Sequence, residues 1–510
     1  MKAFQDRMYE LIVRTSTTLP PDGMAALARA RAAEDAGTRD AIANAAIAIN
    51  VTMAVQGTAP ICQDTGMPTF VVHHPIGFDT IDAAEQIKLA LRRATAAGML
   101  RPNSVDSVTG ANEGNEGTLY PVIKFEAWRE STLHISLTLK GGGSENMSAQ
   151  YSLPAVLDGL GKAGRDMDGV RKCILDALYK AQGKGCSPSF LGVGIGGDRT
   201  GSYELAKKQL LRPLDDVNPD QILSKLEDLI VTQGNTLGVG TLGFGGQTTV
   251  LSCKVSKRNR LPASFFVSVA YNCWAFRRQG LTLNLDAFDN QGWDYLRPDA
   301  PTSLLKPGEE GGLGGDDSAV KRLKIPLSED DVRGLKVGDV VLLTGMIHTG
   351  RDTFHHHHMT HECPVDVQGG VIYHCGPVML QKDGKWKVMA AGPTTSIREE
   401  PYQADINRKL GLRAVIGKGG MGAKTLQGLA DHGAVYLNAV GGAAQYCAQC
   451  VIDVPGVHYL DEFGVPEAMW HFDVVDFPAF VTMDSHGNSL HAEVDKSSFE
   501  KLQALADKSF

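Results

Sequence analysis

The sequence predicts an α+β chain, with a mixed helical and stranded N-terminal domain and a smaller, β-rich α/β C-terminal domain, and three observations carry that reading. Ala-rich amphipathic segments fill much of the first hundred residues, as in MAALARARAAEDAG and TRDAIANAAIAINVTMAVQG. Short apolar, β-branched runs closed by glycine dominate from residue 318 onward. Between them, PDAPTSLLKPGEEGGLGGDD is rich in Pro, Gly and acid with no apolar period, and reads as a linker. The expected division is therefore 1–297, a linker at 298–317, and 318–510.

Each element follows from local pattern. MKAFQDRMYELIVRTSTTLP has the apolar spacing of an amphipathic helix, and the two Ala-rich segments continue as helices that frame the loop Ala59–Pro68. Thr69-Phe-Val-Val-His73 is β-branched and reads as a strand, followed by a helix near Ala83–Ala97. YPVIKFEAW and LHISLTLK alternate as strands and end at the triple glycine Gly141–Gly143. A helix near Met167–Gln182 stops at GKGC, GVGIGGDRTG leads into another helix, Gly234–Gly246 is glycine-rich, and ASFFVSVAYNC is a strand. Beyond the linker, KVGDVVLLTGMIHTG, GGVIYHCGPVML, KWKVMAAGPT, RAVIGKGG and GAVYLNAVGG read as strands ending in loops that can carry function.

Composition narrows the function. A net charge of −8 is wrong for a protein that binds nucleic acid by neutralising phosphates, but local Arg clusters can still grip a small anion. With 43% hydrophobic and 21% charged residues the chain is an ordinary globular protein. No window approaches the ~18 consecutive apolar residues of a membrane span. Asp6 and Glu10 interrupt any signal-peptide core, so a cytoplasmic protein is expected. Nine widely spread cysteines, an odd count, are expected to be buried, reactive or metal-bound rather than disulfide-paired.

Several motifs compete. Gly192, Gly194, Gly197 and Gly238, Gly240, Gly243 both spell G-x-G-x-x-G, which in a glycine-rich chain is a weak dinucleotide signal without the acidic residue ~20 positions on. Cys447 and Cys450 spell C-x-x-C with no second half and read as structural. The run His355–His358 reads as a solvated loop, since adjacent side chains cannot all face one ion. Cys62, Cys186 and Cys273 lie at the mouths of turns, in ICQDTG, GKGCSPS and YNCWAFRR. They are not a compact ferredoxin string, yet three thiolates meeting on a four-iron cluster would leave one iron open as a Lewis acid. In the C-terminal half, HTGRD, GPTTSIR and GKGGM place Arg351, Arg398 and Lys418 in strand-end loops, where they can hold something negative.

Taken together, ICQDTG, MLRPNSVD, KGGGSEN, GCSPSFLGVGIGGDRTGSYELAKK, AYNCWAFRR, HTGRD, GPTTSIR and GKGGM resemble, in order and over nearly the whole chain, the class I iron–sulfur-dependent fumarases related to L-tartrate dehydratase. The resemblance implies that Cys62, Cys186 and Cys273 hold a [4Fe–4S] cluster in the N-terminal domain. It implies that Gln63, Arg101, Gly143, Arg351, Arg398 and Lys418 bind a small dicarboxylate, and that Thr394 and Asp64 are catalytic, with Thr394 as the base. It further implies an active site between the domains, a homodimer, oxygen sensitivity, and no membrane or nucleic-acid partner. In that family a histidine stands just upstream of the third cysteine, whereas Lys257–Pro262 contains none, which leaves its role to His134 or His348. The expected activity is reversible dehydration of (S)-malate to fumarate. Tartrate dehydratase or mesaconase activity is the alternative within the family, and a nicotinamide-dependent oxidoreductase or an iron–sulfur sensor the alternatives outside it.

Overall fold

The computed structural model describes residues 1–306, 309 and 320–510. Half of the expected linker, 307–308 and 310–317, lies outside the described residues. The α+β class holds. The chain forms two compact units, one of Met1–Pro21, Ala46–Gly142 and Arg277–Asn488, the other of Asp22–Ala45, Gly143–Phe276 and Ser489–Phe510.

The first unit contains two large sheets. In the five-stranded one, Met67–Pro75 pairs parallel with Val122–Trp128 and antiparallel with Leu133–Lys140, beyond which lie Arg277–Leu283 and Asn290–Trp293. Its apolar face (Phe70, Val72, Ile135, Leu137, Leu281) packs against Phe4, Met8, Leu11 and Ile12 of helix Lys2–Thr17 and Ile87 and Leu91 of helix Thr80–Ala96. Asp79 accepts from the N–H groups of Ile81 and Asp82 and so starts the second of these helices.

The other sheet has seven strands, in the order Val320–Lys324, Val340–Thr349, Val371–Tyr373, Ala414–Gly417, Val435–Asn438, Met469–Met483, Val451–His458. Met469–Met483 also pairs antiparallel with Val340–Thr349, so five of the strands close on themselves around Leu343, Ile347, Tyr373, Ile416, Leu437, Phe472 and Val481. Val340–Thr349, Val371–Tyr373, Ala414–Gly417 and Val435–Asn438 run parallel, so their carboxyl ends emerge on the same side. Loops at such ends are where an α/β sheet presents ligand-binding groups. Arg351 follows the first of these strands, Gly376 the second and Lys418 the third.

The second unit is a four-stranded sheet, ordered Ala149–Ser152, Phe266–Asn272, Ser189–Ile195, Val250–Lys257, packed with helices Met167–Ala181, Gln221–Thr236 and Leu490–Gln503. Gly192 and Gly194 lie within strand Ser189–Ile195, where an added Cβ would collide with the carbonyls of Ala206 and Ser202 on helix Arg199–Gln209. These glycines let a helix lie close on a strand, which accounts for the first G-x-G-x-x-G spelling without a nucleotide.

One expectation is overturned. His355–His358 is not a solvated loop but part of helix Asp352–His358, with His355 and His358 fully buried beside Phe354. Burial pulls the His355 imidazole down to about 4, so a neutral ring occupies the site as an apolar residue would. Among the described residues no helix is long and apolar enough to cross a membrane.

Candidate active site

Within the first unit the loop after helix Arg39–Gly57 presents Cys62, Gln63 and Asp64. Asn50 on that helix donates to the Ile61 carbonyl across 3.0 Å, and Arg277 donates to the Asp64 carbonyl across 2.6 Å, which fixes the loop at both ends. Gln63 is buried and donates from Nε2 to the Pro393 carbonyl at 3.0 Å. A Cβ on Gly392 would strike the Gln63 amide, so glycine is required for the 392–394 loop to approach it.

Arg101 reaches the same place. Its Nε donates to Asn103 Oδ1 at 2.7 Å, its Nη1 to the Gly376 carbonyl at 2.7 Å, and its Nη2 lies 3.5 Å from Asp64 Oδ1. Burial first, and also the nearby Arg351, hold its guanidinium below the usual arginine range, while Asp64, Cys62 and Cys375 oppose that shift. Arg351 pairs through Nη1 with Glu467 at 3.0 Å and donates to the Pro466 carbonyl at 3.1 Å. Its buried Nε has no hydrogen-bond partner among the described residues. A Cβ on Gly376 would lie 2.6 Å from Arg351 Nη1, 2.6 Å from the Pro466 carbonyl and 3.1 Å from Arg101 Nη1. Gly376 is thus the gap through which two guanidiniums approach one another, with Glu467 beside Arg351 and Asp64 beside Arg101 to offset their repulsion.

Thr394 follows Pro393, the residue whose carbonyl Gln63 holds. Its N–H donates to the His374 carbonyl at 2.7 Å, its own carbonyl accepts from Lys418 N–H at 3.2 Å, and Thr395 bridges Lys418 in parallel register. Its Oγ1 accepts from Arg398 Nη2 at 3.2 Å, and the same Nη2 lies 3.2 Å from Asp352. Behind the loop runs a buried polar chain. Tyr436 O–H donates to Ser396 Oγ at 2.9 Å, and His374 meets Ser396 Oγ through Nδ1 at 2.7 Å and Gln403 Oε1 through Nε2 at 2.8 Å. Because the amide oxygen can only accept, Nε2 carries the proton and Nδ1 accepts from Ser396. Burial, then the neighbouring His355, keep this imidazole neutral, well below the usual histidine range.

The first unit therefore brings together Cys62, Gln63, Asp64, Arg101, Arg351, Thr394, Arg398 and Lys418 of the residues expected from the sequence. Gly376, Gly392, His374, Ser396 and Tyr436 were not among them, and the signal for the first two was only a glycine at a strand-end loop. The histidines offered for the vacant family position are bound elsewhere: His134 pairs with Asp294 at 2.9 Å, and His348 Nδ1 lies 2.6 Å from His471 Nδ1.

In the second unit, Cys186 adopts a left-handed conformation (φ 55°, ψ 62°) at the end of a 3-10 turn, and its carbonyl accepts from Trp274 N–H at 3.2 Å. That bond sets the loop of Cys186 beside the loop of Cys273. Asn272 Oδ1 accepts from Cys273 N–H at 3.0 Å, whereas the buried Asn272 Nδ2 has no acceptor among the described residues. An amide donor without an acceptor, next to two cysteine loops, suits thiolate or sulfide sulfur. Gly143 stands in the short helix Gly142–Glu145. None of the nine cysteines forms a disulfide, and among the described residues no group of three or more His, Cys, Asp or Glu side chains is arranged for a single metal ion. Cys447 and Cys450 lie instead at helix Ala444–Gln449, where Cys447 is part of the hydrophobic core.

Comparison with known proteins agrees with this geometry. The family model described as Fumarate hydratase (Fumerase) matches residues 5–282, and the one described as Fumarase C-terminus matches residues 303–494. A Geobacillus stearothermophilus protein, assigned by name to the class I fumarate hydratases, is 55% identical over the whole of both chains. The L(+)-tartrate dehydratase subunit beta of Escherichia coli K12 is 35% identical over 191 residues, covering 37% of this chain and 94% of that subunit. With both halves matched in order and a full-length relative at this identity, the chain belongs to the class I fumarate hydratase family.

Proposed function

We propose that the protein is a hydro-lyase that interconverts (S)-malate and fumarate. The observation that carries this reading is the approach of Arg101 and Arg351 around Gly376, beside Cys62 and Asp64, with Thr394 held by Arg398 on the facing loop. Dehydration must remove a weakly acidic C–H proton beside one carboxylate and expel hydroxide from the neighbouring carbon. Two arginines and Lys418 supply fixed positive charge for a substrate with two carboxylates, and that charge also stabilises the aci-carboxylate formed on proton loss. The unpartnered Arg351 Nε is an available donor for this contact.

Thr394 takes the proton in this reading. A threonine hydroxyl is a weak base unless its alkoxide is stabilised, and the guanidinium donating to Oγ1 does that. Asp64, aligned by Arg101, is the second catalytic group in this reading and accepts a hydrogen bond from the substrate hydroxyl. Gln63 and Gly143 complete the carboxylate and hydroxyl contacts, on the strength of the family resemblance. Cys62, Cys186 and Cys273 are the proposed ligands of a [4Fe–4S] cluster; none of the three is spent in a disulfide, and the Asn272 Nδ2 donor without an acceptor among the described residues fits that group. When bound, it supplies a Lewis-acidic iron for the substrate hydroxyl. A cytoplasmic homodimer is part of the reading, supported by the family alone.

The test is anaerobic reconstitution with ferrous iron and sulfide, followed by turnover on (S)-malate, fumarate, mesaconate and L-tartrate. Malate and fumarate should give the highest kcat/KM. A reconstituted enzyme that turned over tartrate alone, or a metal-free preparation with full activity, would refute the reading.

A further inference from the structure

Glu399 closes the 3-10 turn Ser396–Glu399, one residue after Arg398. It is fully buried, and neither carboxyl oxygen has a hydrogen-bond partner among the described residues. Its backbone is pinned, because its carbonyl accepts from Tyr402 N–H at 2.9 Å. A buried carboxylate with no donor loses the hydration that offsets its charge, whereas the neutral acid loses far less.

The charged and titratable groups that act on it come from three elements. Arg398 lies on its own turn, Asp352 and Arg351 at the start of helix Asp352–His358, and Tyr436 on strand Val435–Asn438. His374 bonds Ser396 of the same turn and itself touches His355 and Gln403, and both histidines are held neutral by burial. Burial, then the negative charge of Asp352, push the Glu399 carboxyl up to about 8 against the pull of Arg398 and Arg351.

Arg398 is the link to Thr394. One Nη2 serves both Thr394 Oγ1 and Asp352, each at 3.2 Å, so the guanidinium already divides its charge between a hydroxyl and an anion. A second anion beside it would compete for the same charge. We propose that Glu399 is a positioning residue that works as a neutral acid, and that loss of its proton to solvent draws Arg398 away from Thr394 and weakens the base. The step is a proton transfer alone: the Glu399 O–H bond breaks, its electron pair stays on the carboxylate, and water takes the proton. The proposal rests on the reading of Thr394 as the base, and it adds an alkaline limit built into the turn that carries Arg398.

The test uses anaerobic holoenzyme and two readouts. In difference infrared spectra of protein isotope-labelled at glutamate, the C=O stretch of a protonated glutamic acid should be present at neutral pH, vanish with a midpoint near pH 8, and be absent in Glu399→Gln. In turnover on (S)-malate, kcat of the wild type should fall above the same pH. Glu399→Gln should keep roughly a third or more of the neutral-pH kcat, with its alkaline fall displaced upward by about one pH unit or lost and KM little changed. If Glu399→Gln does not fold, the infrared titration of the wild type with isotope-labelled glutamate still decides. An ionised Glu399 at neutral pH, or an unchanged alkaline limb in Glu399→Gln, overturns the proposal. Wild-type rates of malate C–H exchange in Thr394→Ala would instead overturn the base assignment and leave the infrared result standing.

Discussion

Arg398 Nη2 donates to Thr394 Oγ1 across 3.2 Å, so the residue expected to grip substrate is also bonded to the residue expected to take the proton. An arginine that only bound a carboxylate would act in ground and transition states alike, and its loss would chiefly raise KM. An arginine that also stabilises the Thr394 alkoxide adds a term felt only as the proton moves. Arg398→Ala should therefore lower kcat as well as raise KM. Thr394→Ala should lower kcat by roughly 10²-fold or more with KM little changed, the usual scale for losing a general base. Steady-state kinetics on (S)-malate separate the two, and a wild-type kcat in Arg398→Ala would show that the bond to Thr394 is dispensable.

Gly376 should tolerate no side chain. Its Cβ would lie 2.6 Å from Arg351 Nη1, so Gly376→Ala must push Arg351 or Arg101 out of place. Overpacking of this kind costs about 1–3 kcal/mol, and here the strain falls on substrate contacts rather than on a core. The expected result is a KM for malate raised by roughly tenfold or more, with iron and sulfide content unchanged. Cluster loss in Gly376→Ala would mean that the loop supports the metal rather than the substrate.

The cysteines can be sorted chemically. Ser in place of Cys62, Cys186 or Cys273 should each abolish cluster assembly on reconstitution, since a hydroxyl is a poor ligand for iron–sulfur clusters. Ser in place of Cys450 should leave iron content intact. Cys447→Ser should also keep the cluster when assayed at lower temperature, which offsets the stability lost by burying a hydroxyl there. Iron and acid-labile sulfide assays decide, and a cluster that survived Cys186→Ser would remove that residue from the set.

The strands and loops that carry the site were legible because each is local. GPTTSIR, HTGRD and ICQDTG are contiguous, and a β-branched run ending in glycine describes a parallel strand and its loop. What escaped was non-local or masked by residue type. Met469–Met483 carries Asp473, Asp476 and Pro478 inside an apolar run and shifts register against its partners, so no simple alternation announces the strand that closes the sheet. Gly376 matters because Arg101, 275 positions earlier, donates to its carbonyl, and no linear pattern connects the two. Helix Gln221–Thr236 did show its period, in Leu223, Leu226 and Ile230 behind the Asp220 cap, and was overshadowed by the glycines that follow. The histidine run misled because imidazole was counted as polar, although Phe354, His355 and His358 have the spacing of one helix face.

That buried face gives the last prediction. His355 has its imidazole lowered to about 4 by burial, while Nδ1 holds the Arg351 carbonyl at 2.8 Å and Nε2 has no partner among the described residues. A neutral ring must donate from Nδ1, because the carbonyl only accepts, so Nε2 is a bare acceptor inside the core. The sign follows from the two states: the unfolded ring, near 6.5, binds a proton as pH falls, and the folded ring does not until about 4. Stability contributed by the neutral ring is therefore complete above pH 6.5 and is lost progressively between 6.5 and 4. A gap of this size corresponds to about 3 kcal/mol for one site at the acid end. His355→Asn keeps a donor for the Arg351 carbonyl but cannot titrate, so its unfolding midpoint in urea should vary less over this range than that of the wild type. The comparison is made on apoprotein at matched ionic strength, to keep acid loss of iron out of the measurement. Parallel curves for the two proteins would assign the acid sensitivity to other groups, His348 and His471 first, since both are also lowered to about 4 by burial.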